Sequence, residues 1–214
     1  MLPKGLRTAY DTSSIGALSD GIFGVALTLL VLDIHLVGPA STPLASQLLE
    51  LWPKLVSFGL TFAVVSAYWI SYHRLAAHMV AFDMPLLWRN LVFLALIVLT
   101  PFLTSLVGVR HYAGPADARA AWIAYAGTLT LVGVTLAWLW HGARTRGLVD
   151  PGLSRAGAEY LLWRTLAGPM VFALSICTAF LSAPLAPVTL LLIPPAFTFV
   201  RRRYARPAED PAAS

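Results

Sequence analysis

From Thr165 to Val200 the chain runs for 36 residues without one charged side chain. As a single helix this stretch would be about 54 Å long at ~1.5 Å per residue, against a hydrocarbon core of roughly 30 Å. It is too long to cross a bilayer once. Pro184 and Pro187, beside Ser182-Ala183, supply a break, because proline has no N–H to donate and clashes with the preceding turn. The stretch therefore reads as two membrane spans. Leu55–Tyr72, Asn90–Val109 and Ala120–Trp140 are also charge-free, and each is close to the ~20 residues a span needs. Ile15–Leu36 completes the set. An all-α polytopic fold follows, with six helices at about 14–36, 54–74, 86–109, 119–142, 160–182 and 185–200. A hydrophobic content of 58% with only 12% charged residues belongs to the same class. Residues 1–206 form one transmembrane domain, and 207–214 read as a disordered polar tail.

The basic residues orient these helices. With a cytoplasmic N-terminus and six spans, the inside holds Lys4, Arg7, Arg74, Arg89, Arg144, Arg146, Arg155, Arg164, Arg201, Arg202, Arg203 and Arg206. The outside holds Lys54, Arg110 and Arg119. Twelve against three follows the positive-inside rule and puts both termini in the cytoplasm of a plasma-membrane protein. The same asymmetry accounts for the net charge of +5 without nucleic acid as a partner. The n-region is too long, and too interrupted by Asp11 and Asp20, for a cleavable signal.

Soluble chemistry has little support. The histidines at 35, 73, 78, 111 and 141 are scattered, so no metal site is expected. Cys177 lies in an apolar run and reads as packing. No Gly-x-Ser-x-Gly, P-loop or Gly-x-Gly-x-x-Gly occurs, so neither an enzyme nor a nucleotide cofactor is indicated.

The first span is unusual. Asp20 and Asp33 bracket the apolar run Gly21–Leu32. A carboxylate at membrane depth costs roughly 2.5–3.5 kcal/mol on insertion scales, so it faces protein or a wet cavity. Between the acids, Val25, Thr28, Leu29 and Leu32 fall at the i, i+3, i+4, i+7 spacing of one helix face. An apolar stripe with one hydroxyl and an acid at each end suits a narrow cation pathway. A lone threonine more often bonds back to its own helix. Asp33 alone reads as an interfacial carboxylate, so the combination carries the case. On the second span, Tyr68-Trp69-Ile70-Ser71-Tyr72-His73-Arg74 reads as an interfacial aromatic belt with a snorkelling arginine. The alternative is a polar cluster in which Trp69 or His73 satisfies Asp20 at the same membrane level. Asn90 opens the third span as a cap or an interhelical hydrogen bonder. Pro101 kinks that helix.

The stretch Ile15-Gly-Ala-Leu-Ser-Asp-Gly-Ile-Phe-Gly-Val-Ala-Leu-Thr-Leu-Leu-Val-Leu-Asp33 resembles the first helix of the bacterial homologues of transmembrane protein 175, the lysosomal potassium channel. The likeness continues through Tyr68-Trp69-x-x-x-His73-Arg74, Asp83-x-x-Leu86-Leu87-x-x-Asn90-Leu91 and Thr100-Pro101-Phe102. It covers the first three helices by motif and the last three by hydropathy. The resemblance implies a potassium channel without a carbonyl filter loop, assembled as a homotetramer around its first helices, with potassium as the permeant ion and no cofactor. By the same resemblance Val25, Leu29 and Leu32 fall on the hydrophobic constriction and Thr28 on the hydroxyl ring. Ser19, Asp20, Trp69, His73, Arg74 and Asn90 fall on a polar helix-packing network, and Asp33 reads as the outer-mouth acid. Two positions depart from the family pattern, Ser14 in place of an arginine and Leu18 in place of a phenylalanine. His73 and Arg74 are the candidates to replace the missing cation beside Asp20. Two other classes remain open: a cation- or proton-coupled carrier using Asp20, and a non-conducting membrane scaffold.

Overall fold

The computed structural model describes residues 12–36, 43–108 and 114–205. Lys4, Arg7, Arg110, His111 and the tail 207–214 lie outside the described residues. The chain folds into α1 (Thr12–Leu32), α2 (Leu44–Glu50), α3 (Trp52–Ala76), α4 (Met84–Val107), α5 (Pro115–Thr145), α6 (Arg155–Leu181) and α7 (Ile193–Ala205). Two 3-10 turns, Ala183–Leu185 and Pro187–Leu192, lead into α7. All the helices but the short α2 supply spans, six of them, each long and apolar enough to cross a membrane; the sixth joins the 3-10 turns to α7.

Local chemistry sets the helix ends. Asp83 caps α4, its Oδ1 accepting the Leu86 N–H at 3.0 Å, with Pro85 in the first turn. That helix therefore starts six residues before Asn90, and Asn90 is no cap. Capping residues are polar and fall outside charge-free runs, so the runs alone start too late. Ser154 caps α6 in the same way, accepting from the Gly157 N–H at 3.1 Å. Inside α4, Pro101 cannot donate to the Ile97 carbonyl; the Thr100 hydroxyl donates to that oxygen instead, at 2.7 Å. The charge-free stretch 165–200 divides at Ser182, as the prolines suggest. Ser175 on α6 binds the turn, its Oγ accepting from Trp122 Nε1 and donating to the Ala186 carbonyl, both at 2.8 Å.

α5 lies between α4 and α6 and is the most buried span. Leu129, Val132, Leu136, Leu139 and Trp140 put it at the centre of the core. Two glycines let its neighbours approach. The Pro169 ring of α6 fills the place a Cβ on Gly133 would take, and the Arg89 guanidinium of α4 does the same at Gly142. Arg89 is held there by a bond from Nη1 to the Trp138 carbonyl at 3.2 Å and by the Trp138 ring, 4.6 Å away. At the same end, the α3–α4 and α5–α6 loops clasp. Val80 N–H donates to Leu148 at 3.0 Å, Asp150 N–H donates to His78 at 2.9 Å, and Arg146 pairs with Asp83 at 2.6 Å. α1 packs on α4 and α3 and touches nothing else closely among the described residues.

Candidate ion pathway and its supporting network

One side of α1 is buried, and the other has no partner among the described residues. Ile15, Ser19, Phe23, Ala26 and Leu30 recur every three to four residues and face the core. On the opposite side Val25, Leu29 and Leu32 are 57%, 40% and 69% exposed, and Thr28 is exposed among them. Leu18 continues this side toward the N-terminus. The Thr28 hydroxyl donates to the Val25 carbonyl at 2.8 Å, one residue nearer than the usual back-bond. Its proton is thereby committed to the helix, and its oxygen keeps acceptor capacity.

At the C-terminal end of this face, Asp33 follows the last helical residue. Lys54, from the first turn of α3, donates to the Asp33 carbonyl at 3.0 Å and lies 3.8 Å from its carboxylate. Sequence reasoning placed both residues at the outer end but did not pair them.

At the other end the level match between α1 and α3 becomes a contact. Asp20 Oδ1 accepts from Trp69 Nε1 at 2.9 Å and from His73 Nε2 at 2.7 Å. Trp69 and His73 lie one turn apart on α3, so both rings reach one oxygen; they also meet edge to face at 4.5 Å. Arg74 is the next residue, about 100° further around the helix. It is exposed and bonds to no carboxylate among the described residues. His73 and Trp69 stand beside Asp20, and Arg74 does not.

Directly beneath is a buried triad. Ser19 Oγ donates to the Ile15 carbonyl at 2.8 Å and lies 2.8 Å from the Tyr72 hydroxyl. A serine has one hydroxyl proton, so Tyr72 must be the donor to Ser19. Asn90 Nδ2 donates to the same oxygen at 3.4 Å. Ser19, Tyr72 and Asn90 are each 1% exposed or less. Tyr72 also stacks on Phe93 of α4, centroids 5.7 Å apart and planes 13° apart. Tyr72 is the network residue that sequence reasoning missed. Its position carries a signal: Ser19-Asp20 on α1 faces Tyr72-His73 on α3, so adjacent residues pair with adjacent residues.

A second polar layer lies toward the other end of the bundle. Thr104 Oγ1 of α4 donates to its own Thr100 carbonyl at 2.8 Å, so it accepts from Thr61 Oγ1 of α3 at 3.1 Å, and Thr61 in turn accepts from the Tyr125 hydroxyl of α5 at 2.9 Å. Such contacts fix helix rotation where dispersion between apolar faces would not.

The family profile described as the endosomal/lysosomal potassium channel TMEM175 matches residues 14–101, which span α1, α3 and most of α4. A protein of Streptomyces collinus named as a potassium channel is 30% identical over 180 residues, 82% of this chain and 85% of the relative. The chain belongs to the TMEM175 family. A second relative, from Chamaesiphon minutus and also named as a potassium channel, is 30% identical over 176 residues, 80% of this chain and 86% of its own length. Among solved structures, a lysosomal potassium-selective channel TMEM175 homologue from Chamaesiphon minutus superposes with a TM-score of 0.74 at 26% identity. It covers 90% of this chain and 97% of that one. The potassium channel MtTMEM175, solved as a variant bound to a nanobody fusion, shares the fold at 12% identity and a TM-score of 0.66, covering 96% and 99%. Six apolar helices and this membership make the chain a multi-pass membrane protein.

Proposed function

We propose that this protein is a potassium channel in which α1 from each of several copies, four by the family resemblance, surrounds a central path. One observation carries the proposal: α1 buries one face in its own subunit and leaves Val25, Thr28, Leu29 and Leu32 uncovered on the other. The names of the bacterial relatives support potassium as the permeant ion. In the assembly Val25, Leu29 and Leu32 form a dry constriction that gates by dewetting, and the Thr28 hydroxyl oxygens replace part of the ion's hydration shell. No carbonyl loop is needed. Asp33 raises the cation concentration at the outer mouth, with Lys54 offsetting part of its charge. The network of Ser19, Asp20, Trp69, His73 and Asn90, completed by Tyr72, fixes the rotation of α1 and so decides which face meets the axis. Both termini lie in the cytoplasm of a plasma-membrane protein. As a channel the protein is no enzyme, and potassium is its cargo.

Protein reconstituted in potassium-loaded liposomes tests this. The wild type is expected to pass potassium. Leu29→Asn and Val25→Asn, which wet the constriction, are expected to enlarge the flux. No flux in the wild type or in either variant overturns the channel proposal. Saturable flux that vanishes with Asp20→Asn points to a carrier instead.

A further inference from the structure

Away from α1, a crevice of about 260 Å³ opens between α3, α6 and α7. Its walls are apolar, with Leu60 and Val64 on α3 facing Phe172 on α6 and Ile193 on α7. Ala63, Ala67 and Gly168 keep it open, since none has a side chain long enough to fill it. One end is polar. Ser71 and Thr165 line it, but each hydroxyl donates to its own helix, at the Ala67 and Leu161 carbonyls. Arg164 also lines it, and here most of the hydrogen-bonding capacity is unused. Only Nη1 is engaged, donating to the Tyr160 hydroxyl at 3.3 Å, while the guanidinium lies over the Phe197 ring at 5.3 Å. Among the described residues no carboxylate pairs with it; Arg155 takes Glu159 and Arg146 takes Asp83. A half-buried arginine beside an apolar crevice, without an acid, is expensive unless an anion arrives. Tyr160 continues from Arg164 into a second recess, of about 330 Å³, that Arg201 and Tyr204 also line.

The geometry points to a binding site for one anionic phospholipid, its phosphate held by Arg164 with Arg201 near, and an acyl chain lying in the crevice toward Leu60. Two features select this occupant. The unpaired guanidinium favours a headgroup of net negative charge: its fork of N–H donors matches phosphate oxygens, and in a zwitterionic lipid the headgroup's own ammonium offsets the phosphate charge. The length selects one acyl chain. From Ser71 to Leu60 is eleven residues of helix, about 16 Å of rise, against roughly 15 Å for half of a bilayer's hydrocarbon core. The charged end lies at the Arg201–Arg203 end of α7, which the charge asymmetry assigns to the cytoplasmic leaflet.

The test offers purified protein mixed micelles of dioleoyl phosphatidylglycerol or dioleoyl phosphatidylcholine and counts retained lipid by native mass spectrometry. The wild type is expected to retain the phosphatidylglycerol, with Arg164→Gln lowering retention about fivefold or more. Arg202→Gln, exposed and outside both recesses, is expected to leave retention unchanged. Ala67→Trp fills the crevice without touching the charge and is expected to abolish retention, so the site stays testable if Arg164→Gln does not fold. Equal retention of the two lipids by the wild type overturns the proposal, as does full retention in Ala67→Trp. If Ala67→Trp breaks the oligomer while Arg164→Gln retains lipid normally, a second copy of the chain occupies the crevice and the proposal fails.

Discussion

Lys54 reaches from the first turn of α3 to the end of α1, where its ammonium donates to the Asp33 carbonyl at 3.0 Å and sits 3.8 Å from the carboxylate. The acid proposed for the outer mouth is therefore partly neutralised by its own subunit. At low salt, where the Debye length is ~30 Å at 0.01 M, replacing the lysine uncovers that charge. Lys54→Gln is expected to raise potassium flux into the outer mouth about two- to threefold, and Asp33→Asn to lower it by a similar factor. Both differences should fade near 1 M salt, where the Debye length is ~3 Å. Flux measured across that range checks the assignment; a lysine variant that conducts less at low salt contradicts it.

Thr28 gives a second prediction. Its hydroxyl proton is committed to the Val25 carbonyl, leaving only an acceptor for the ion. Thr28→Ser keeps that acceptor, while Thr28→Val keeps the shape and removes it. The potassium-over-sodium flux ratio is expected to survive in Thr28→Ser and to fall about threefold or more in Thr28→Val, since ~0.65 kcal/mol of lost discrimination is a threefold change. An unchanged ratio in Thr28→Val removes the hydroxyl from selectivity.

How much of this was legible in the sequence depended on the physical signal. Charge-free runs gave the spans because a bilayer excludes charge. The level match of Asp20 with Trp69 and His73 was readable because all three lie near the same ends of their helices. Rotation was less readable. Whether His73 or Arg74 meets Asp20 turns on about 100° of helix rotation, which hydropathy does not encode. Tyr72 was hidden for a related reason, since an aromatic near a helix end also suits an interfacial belt. α2 went unread because seven residues ending in Glu50 make too short a helix to show a period. The Lys54–Asp33 contact joins two helix ends across residues 37–42, and no sequence pattern carries it.

The buried triad supports a stability prediction. Tyr72→Phe removes the donor to Ser19 but keeps the ring on Phe93. Ser19→Ala removes the acceptor and leaves two buried donors, Tyr72 and Asn90, facing it. Membrane hydrogen bonds of this kind average about 0.6 kcal/mol, so Tyr72→Phe should cost about that. Ser19→Ala should cost more, about 1–3 kcal/mol, because the stranded donors add their desolvation. Unfolding in detergent with the double variant gives the coupling. Equal effects of the two single changes would show that the donors find other partners.

Gly133 and Gly142 of α5 make the sharpest comparison, because the same substitution meets a different kind of neighbour at each. At Gly133 an added Cβ falls on the ring of Pro169, which has no rotamer to retreat into, so α5 and α6 must separate. At Gly142 the added atom meets the guanidinium of Arg89, the far end of a flexible side chain. Arg89 can swing away, giving up its bond to the Trp138 carbonyl and its stack on that ring. Gly→Ala also contributes up to ~1 kcal/mol in helix propensity at either site. Gly142→Ala is therefore expected to be near neutral, the propensity gain offsetting a contact of ~0.5–1 kcal/mol. Gly133→Ala is expected to destabilise by about 1–3 kcal/mol net, the range for overfilling a packed interior. Thermal unfolding of the two variants side by side separates them. If Gly133→Ala is as stable as the wild type, the α5–α6 seam is looser than the Pro169 contact requires.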